Sequence, residues 1–314
     1  MLGAAHKPGA IALRPLALGD MYDGAFRIIR FNPKATVGSA VLVAAVSMVL
    51  PVLFTAILTF AVDLTSSGSG DLSTGEALAA VATGGAFVLG AVLQGIGLLL
   101  VTGMIAHVVA AAAIGRRLSL GEAWAATRGA RWRLVGLTFV LGLMALGILL
   151  VYVLLWVAVV LVAPTWAIVV FGIVTVPAYL VLMCWWWVRV YYLPVPALMI
   201  ERIGIFAAIG RGFRLTRRQF WRTFGIGLLT ALIGSIAGGI LSAPLSIAAQ
   251  VVPVAMADSQ YAALVVVVLT ALGTVVQTAF VTPFTAAVSS LQYLDQRMRK
   301  EAYDVELMAR AGIT

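Results

Sequence analysis

Residues 134–163 read LVGLTFVLGLMALGILLVYVLLWVAVVLVA, a run without an acidic or basic side chain. After Pro164 and Thr165, a second uncharged run, residues 166–188, reads WAIVVFGIVTVPAYLVLMCWWWV. A helix of roughly 20 apolar residues covers the hydrocarbon thickness of a bilayer. Because so short a connection forces the chain to turn straight back, these two runs predict an antiparallel pair of membrane-spanning helices.

The same pattern occurs elsewhere in the chain. Four further uncharged apolar runs cover residues 35–62, 77–114, 223–252 and 261–290. The 314 residues are 62% hydrophobic and 11% charged, whereas about a quarter of the residues in a soluble domain are charged. So few charges cannot cover the surface of a soluble fold of this length. We therefore predict an all-α polytopic membrane bundle with six transmembrane helices.

The basic residues predict the orientation of this bundle. All 21 Lys and Arg lie in residues 1–34, 115–133, 189–222 and 291–314. The opposite ends of the spans carry only acidic residues, namely Asp63, Asp71, Glu76 and Asp258. Cytoplasmic loops of membrane proteins are enriched in Lys and Arg. We therefore expect a multi-pass protein of the plasma membrane with both termini in the cytoplasm. The net charge of +9 then reflects topology, and no nucleic-acid partner is expected.

The chain is expected to form one integral membrane domain over residues 1–314. It would comprise a cytoplasmic N-terminal segment at 1–34, a six-span bundle at 35–290 and a helical cytoplasmic tail at 291–314. No signal peptide is expected, because charged residues such as Asp20 and Asp23 precede the first long apolar run. Cys184 is the single cysteine, so an intrachain disulfide is excluded.

Amphipathic patterns precede each pair of spans. In residues 18–30, apolar side chains recur on one helical face, while Asp23 and Arg27 on the other face are four residues apart and can pair. Ser119 and Glu122 have the spacing of a capping box that begins a short helix. In residues 205–222, apolar and basic side chains again divide between two faces. The chain thus reads as three parallel hairpin units, each preceded by a cytoplasmic interfacial amphipathic helix.

These basic helices form the predicted binding surface, a collar on the cytoplasmic side. Amphipathic helices rich in Lys and Arg lie at the membrane interface and attract anionic lipid. We expect headgroup or interface contacts from Arg27, Arg30, Arg211, Arg214, Arg218, Arg222 and Trp221. The acidic residues of the tail, Asp295, Glu301, Asp304 and Glu306, are expected to face the same basic helices and to form ion pairs with them.

Three stretches carry a resemblance to a known family: residues 13–38, LRPLALGDMYDGAFRIIRFNPKATVG; residues 188–229, VRVYYLPVPALMIERIGIFAAIGRGFRLTRRQFWRTFGIGLL; and residues 291–307, LQYLDQRMRKEAYDVEL. Together they resemble the glycerophosphoryl diester phosphodiesterase membrane-domain family of bacterial integral membrane proteins. The most specific element is the pattern Tyr-x-Asp-x-Arg-x-Arg-Lys-Glu, from Tyr293 to Glu301. The resemblance implies a membrane module whose catalytic partner is a separate soluble barrel.

No enzymatic activity is expected from the chain itself. The barrel needs a couple of hundred residues with a metal held by His, Glu and Asp, whereas only residues 291–314 follow the last span. The two histidines are His6 and His107, and no His, Cys, Asp or Glu spacing in the sequence suits a metal. No cofactor is expected either.

Polar residues inside the spans leave two interpretations open. Gln94, His107 and Gln277 are the main candidates, and helix–helix hydrogen bonds explain them most simply. They are also the expected lining of a passage if the protein is a transporter or flippase for a lipid or another amphiphile. Gly234 and Gly238 form a small-xxx-small pattern that predicts close helix packing.

The sequence therefore favours a non-enzymatic membrane protein that uses its basic collar to engage anionic inner-leaflet lipid or a membrane-protein partner. A homo-oligomer is compatible with the packing pattern but is not required by it. The rival transporter hypothesis predicts a lateral opening or a central cavity near the three intramembrane polar residues.

Overall fold

The computed structural model describes residues 9–66, 72–257, 259 and 261–310, with the backbone alone for residues 58–66, 72–89, 91 and 310. Within these ranges the chain is helical and contains no β-strand. His6, Asp71 and Asp258 lie outside the described residues, and for Asp63 and Glu76 only the backbone is described. The acidic side chains expected at the outer ends of the spans therefore all fall outside the part of the chain whose side chains the structure describes.

The helices follow one another with short connections. In chain order they are α1 Leu18–Phe31, α2 Pro33–Ser66, α3 Leu72–Ala113, α4 Leu120–Ala126, α5 Arg131–Val162, α6 Thr165–Trp186, a π-helical turn Trp187–Tyr191, α7 Pro194–Glu201, α8 Ile205–Thr216, α9 Phe220–Ala255, α10 Ala262–Glu301 and α11 Tyr303–Arg310.

Six helices of the described chain are long and apolar enough to cross a membrane: α2, α3, α5, α6, α9 and α10. They coincide with the six uncharged runs of the sequence. The all-α class and the six candidate spans are thus confirmed, and they are the features of a multi-pass membrane protein.

Helices α2, α3, α9 and α10 pack together, with α10 touching the other three. The close approach of α9 to α10 depends on the predicted glycine pattern. A Cβ atom at Gly238 would lie 2.8 Å from side-chain carbons of both Gln277 and Val281, and one at Gly234 would lie 3.3 Å from Val281. The small-xxx-small face therefore does bring two helices close together.

Helices α5 and α6 largely stand apart from this bundle. In α5 only Leu134, Leu137 and Leu141 are buried, all in its first third, and in α6 only Trp186 is buried. Beyond them the two helices touch each other, for example where the rings of Tyr152 and Tyr179 stack with centroids 4.3 Å apart. Most of their other large apolar side chains are exposed, as expected of helices whose solvent is lipid.

The buried core lies at the arginine-rich end of the molecule, which we call the basic end (residues 9–34, 115–133, 189–222 and 291–310). One cluster joins the N-terminal segment and α1 to α3 and α10, with Leu16, Met21 and Ile28 fully buried. A second cluster joins the start of α5 to α7 and α8. Protein therefore packs against protein mainly at this end.

The predicted helix at residues 205–222 is interrupted. Helix α8 ends at Thr216, Arg218 has a left-handed backbone with φ of 65°, and α9 begins at Phe220. A left-handed residue cannot continue a right-handed helix. Trp221 and Arg222, expected on the amphipathic helix, therefore belong to the first turn of α9.

One further helix boundary differs from the sequence prediction, and one short helix was not predicted. Helix α10 does not end at residue 290 but runs to Glu301, because residues 286–296 are buried against the basic end after the apolar run stops. Helix α7 was not foreseen; residues 194–199 are all buried in it. Helix α9 contains Pro244 and Pro253 and continues through both to Ala255.

Candidate functional site

A buried carboxylate organises the basic end. Asp295 of α10 has no exposed side-chain surface. One of its oxygens accepts a hydrogen bond from the Leu16 backbone N–H at 2.7 Å, and the other accepts one from Arg222. Arg299, one turn further along α10, donates to both oxygens at 3.0 and 3.1 Å. Arg222 and Arg299 also donate to the Leu16 carbonyl, at 2.8 and 3.0 Å. The N-terminal segment is thereby fixed to α9 and α10.

A second carboxylate, Glu201 at the end of α7, forms the other half of this network. Arg211 of α8 donates to it from Nε at 3.0 Å and from Nη2 at 2.8 Å, and the Tyr293 hydroxyl donates to it as well. Arg211 also bonds Glu301 at 2.6 Å. Burial lowers the pKa of Arg211, but the bonds to Glu201 and Glu301 raise it by more, so the group stays charged. Arg211 is therefore an internal cation.

The tail pattern that carries the family resemblance supplies most of these groups. Tyr293, Arg297 and Glu301 are spaced by four residues, so they share one face of α10 and meet Glu201 and Arg211. Asp295 and Arg299 share the adjacent face and meet Arg222 and Leu16. These five residues of the pattern thus have structural partners, and the predicted ion pairs of Asp295 and Glu301 are confirmed.

Lys300 fixes the end of α8. Its ammonium donates to the carbonyls of Arg214, Leu215 and Arg217 at 3.2, 2.8 and 2.7 Å. The last carbonyl groups of a helix lack intrahelical partners and carry partial negative charge, so a cation is favourable there. These three hydrogen bonds fix the segment between α8 and α9 to α10.

Three arginines at that break point away from the network. Arg214, Arg217 and Arg218 are exposed, and within the described chain none of the three forms an ion pair. Large aromatic side chains are exposed on the same two helices: Phe206, near the start of α8, is 77% exposed, Phe213 is 41% exposed, and Trp221, at the start of α9, is 79% exposed. We call these six residues the arginine–aromatic corner.

Arg27 and Arg30, the two lipid-contact residues predicted on α1, lie on an exposed helix face. The apolar face of α1, with Met21, Ala25 and Ile28, is buried against protein, so it is not the face that meets lipid. Arg27 and Arg30 are exposed on the other face. The predicted pairing of Arg27 with Asp23 is confirmed at 2.8 Å, with both side chains more than half exposed.

The predicted intramembrane polar residues have different degrees of burial. Gln94 and His107 are half-buried in α3, whereas Gln277 is exposed on α10, with its side chain against Gly238 of α9. Apolar clefts of about 500 and 610 Å³ lie instead along α5 and α6, where Tyr152 lines both. None of the three polar residues lines either cleft.

Metal chemistry finds no support in the described residues, among which no three His, Cys, Asp or Glu side chains are grouped to hold an ion. The carboxylates that do cluster, Glu201 and Glu301, are neutralised by Arg211 and Arg297. This arrangement holds α7, α8 and α10 together.

Sequence reasoning missed the role of Glu201. Glu201 is the single carboxylate in an otherwise arginine-rich segment, residues 189–222. That pattern was the one feature of the sequence that indicated an ion pair at this position. Its partners come from α8 and α10, and the Tyr293 partner is 92 residues away in sequence, so no local spacing indicates them. Comparisons with protein-family models, with curated proteins and with solved structures found no match to this chain.

Proposed function

We propose that this chain is a non-enzymatic integral membrane protein of the plasma membrane, with both termini in the cytoplasm, that binds anionic inner-leaflet lipid through the arginine–aromatic corner. The observation that carries the proposal is that three exposed arginines without an ion pair among the described residues and two exposed aromatic side chains, Phe213 and Trp221, all lie within residues 213–221, where α8 ends and α9 begins. Aromatic rings favour the interface between lipid and water. Guanidinium groups bind phosphate through bidentate hydrogen bonds.

The internal network narrows the set of lipid-binding residues. Arg211 and Arg222 are held by carboxylates, so their charges are compensated within the protein. Arg214, Arg217 and Arg218 have no such partners among the described residues, and each basic group near an anionic surface contributes about 1 kcal/mol. The proposal therefore assigns the phosphate contacts to these three, with Trp221 and Phe206 inserted among the lipid headgroups.

A three-unit architecture is part of the proposal. A shorter helix precedes each pair of long ones: α1 before α2 and α3, α4 before α5 and α6, and α8 before α9 and α10. The Ser119–Glu122 capping box that begins α4 is present, with the Glu122 backbone N–H donating to Ser119 Oγ at 3.2 Å. We also propose that the chain belongs to the glycerophosphoryl diester phosphodiesterase membrane-domain family. The support is that each named residue of its tail pattern, from Tyr293 to Glu301, has a hydrogen-bond or ion-pair partner in the structure.

The lipid contact is tested with the full-length protein in neutral detergent micelles. Phosphatidylglycerol or phosphatidylcholine is titrated in, and bound lipid is counted by native mass spectrometry. We expect selective retention of phosphatidylglycerol by the wild type. The triple variant Arg214→Gln, Arg217→Gln, Arg218→Gln should bind it up to about 100-fold more weakly, because three contacts of about 1 kcal/mol each are removed.

The matched control removes the same charge elsewhere on the basic end, in the variant Arg116→Gln, Arg128→Gln, Lys34→Gln. These residues are also exposed but lie outside the corner. Unchanged phosphatidylglycerol binding by the corner variant would contradict the proposal, as would an equal loss in the control.

A carrier of an amphiphilic molecule is the second candidate, and the 610 Å³ apolar cleft between α5 and α6 favours it. Met144, Leu155 and Leu182 help to line that cleft. In proteoliposomes with fluorescent phospholipid, a carrier would expose inner-leaflet probe to an impermeant quencher. Lipid movement at the rate of protein-free vesicles would remove this candidate and leave the lipid-binding proposal intact.

A further inference from the structure

A second group of arginines surrounds a cleft at the basic end. The cleft has a volume of about 560 Å³ and forms where the N-terminal segment meets the end of α1 and the turn after α3. Its lining residues are Gly9, Ala10, Arg27, Arg30, Phe31, Gly115 and Arg117. Of these described lining residues, three are cations and none is a carboxylate.

Backbone packing fixes the walls of this cleft. The Ala10 N–H donates to the carbonyl of Ala112 at 2.9 Å, which ties the N-terminal segment to the end of α3. A Cβ atom at Gly9 would clash with the same carbonyl oxygen, so only glycine permits this approach. Gly115 has φ of 78°, the left-handed conformation that ends α3 and turns the chain toward Arg117.

One of the three guanidinium groups is also positioned by an aromatic ring. The Arg117 guanidinium lies over the Phe31 ring, 4.3 Å from its centroid. A cation over an aromatic face is held there by the ring quadrupole. Arg117 is thereby kept beside Arg30, which lies in the last turn of the neighbouring α1.

The charges of two of the three arginines in the cleft are not balanced by the described part of the protein. Elsewhere at the basic end, Arg211, Arg222 and Arg299 each meet a carboxylate. Here Asp23 pairs with Arg27 but does not line the cleft, and no ion pair of the described residues involves Arg30 or Arg117. Like charges that share a cleft repel each other and concentrate the field on an incoming anion.

We propose that this cleft binds a phosphate monoester, whose dianionic oxygens accept hydrogen bonds from Arg27, Arg30 and Arg117. Planar guanidinium groups match phosphate oxygens in pairs, and the two charges that no described carboxylate balances, those of Arg30 and Arg117, suit a dianion better than a singly charged diester. The source of the phosphate is either a soluble ion or ester, or a monoester lipid headgroup at the membrane surface. The site shares no residue with the arginine–aromatic corner, so it does not depend on the function proposed above.

The test uses two arms with the full chain. In the first, inorganic phosphate is titrated by calorimetry into protein in neutral detergent. In the second, protein in phosphatidylcholine nanodiscs is titrated with phosphatidic acid, and the shift in melting temperature is followed. The variant Arg30→Gln, Arg117→Gln should weaken binding at least about tenfold in whichever arm the wild type binds.

Two comparison variants make the result specific. Lys34→Gln, Arg128→Gln removes equal charge from exposed positions that do not line the cleft, and it should bind as the wild type does. Arg30→Lys, Arg117→Lys keeps the charge but loses the paired geometry, and it should bind several-fold more weakly; it replaces the Gln variant if that variant does not fold.

Each outcome decides the proposal. Binding in the first arm identifies a soluble phosphate, and binding in the second arm alone identifies a lipid headgroup; either supports the site when the cleft variant loses it. No wild-type binding in either arm overturns the proposal. An equal loss in the Lys34 and Arg128 control also overturns it, because the effect would then be one of net charge.

Discussion

Asp295 shows how one side chain joins distant parts of the chain. It sits on α10 and bonds Arg222 on α9 and the Leu16 backbone of the N-terminal segment. A buried ion pair is costly to break because the remaining charge has no partner. The residue is therefore structural, even though its neighbours are the arginines that the sequence suggested for lipid binding.

Replacement of Asp295 by Asn should destabilise the protein by about 3 kcal/mol, since Arg222 and Arg299 would keep their charges without a counterion. Thermal unfolding in detergent, followed by tryptophan fluorescence, measures the loss. Asp23→Asn is the matched control, because its pair with Arg27 is exposed and should be worth less than about 1 kcal/mol. Equal melting temperatures for the two variants would contradict the structural role of Asp295.

The backbone conformation of Arg218 predicts how its replacement by glycine affects stability. Its left-handed conformation, with φ of 65°, is less costly for glycine than for a residue with a Cβ atom, by about 1 kcal/mol. Arg218→Gly should therefore keep or raise the melting temperature while it weakens phosphatidylglycerol binding. Arg217→Gly, where φ is −61°, should weaken binding without any gain in stability. Loss of stability in Arg218→Gly alone would show that its side chain holds the break.

At the scale of elements, the six long helices could be predicted because their signal is local. An uncharged run that is long enough to span a bilayer leaves few alternatives. Helix α7 lacked such a signal, because the eight residues from Pro194 to Glu201 are too short for a span and too apolar for an amphipathic pattern. The end of α8 at Thr216 could not be predicted for another reason. The helical periodicity of apolar and basic residues continues across it, so the sequence pattern shows no break.

The packing of α9 on α10 gives a sharp comparison between adjacent glycines. A Cβ atom at Gly238 would lie 2.8 Å from Val281, whereas nothing lies within 4 Å of one at Gly239. Gly238→Ala should lower stability by about 1–3 kcal/mol through overpacking. Gly239→Ala should be neutral or slightly stabilising, because alanine is the better helix former. The melting temperatures of the two variants check this, and the reverse order would contradict the described helix contact.

For the whole molecule, the candidate site was only partly predictable. The collar of basic residues could be read from the sequence because it follows from charge alone. The sequence does not show which arginines of the collar are paired inside the protein, because this depends on which of them the fold brings to carboxylates. Arg211 meets Glu201, and Arg222 meets Asp295. The arginines without a described carboxylate partner are Arg214, Arg217 and Arg218 at the corner, and Arg30 and Arg117 in the cleft; we propose that these bind partners outside the protein.

The central claim is that the uncharged helices cross the bilayer and place every arginine-rich connection on the cytoplasmic side. Labelling of single cysteines with a membrane-impermeant maleimide, in a Cys184→Ala background, tests it most directly. Ser259→Cys, between α9 and α10, should react in intact cells. Arg128→Cys, between α4 and α5, should react only after the membrane is permeabilised. Labelling of Arg128→Cys in intact cells, with Ser259→Cys protected, would contradict the account.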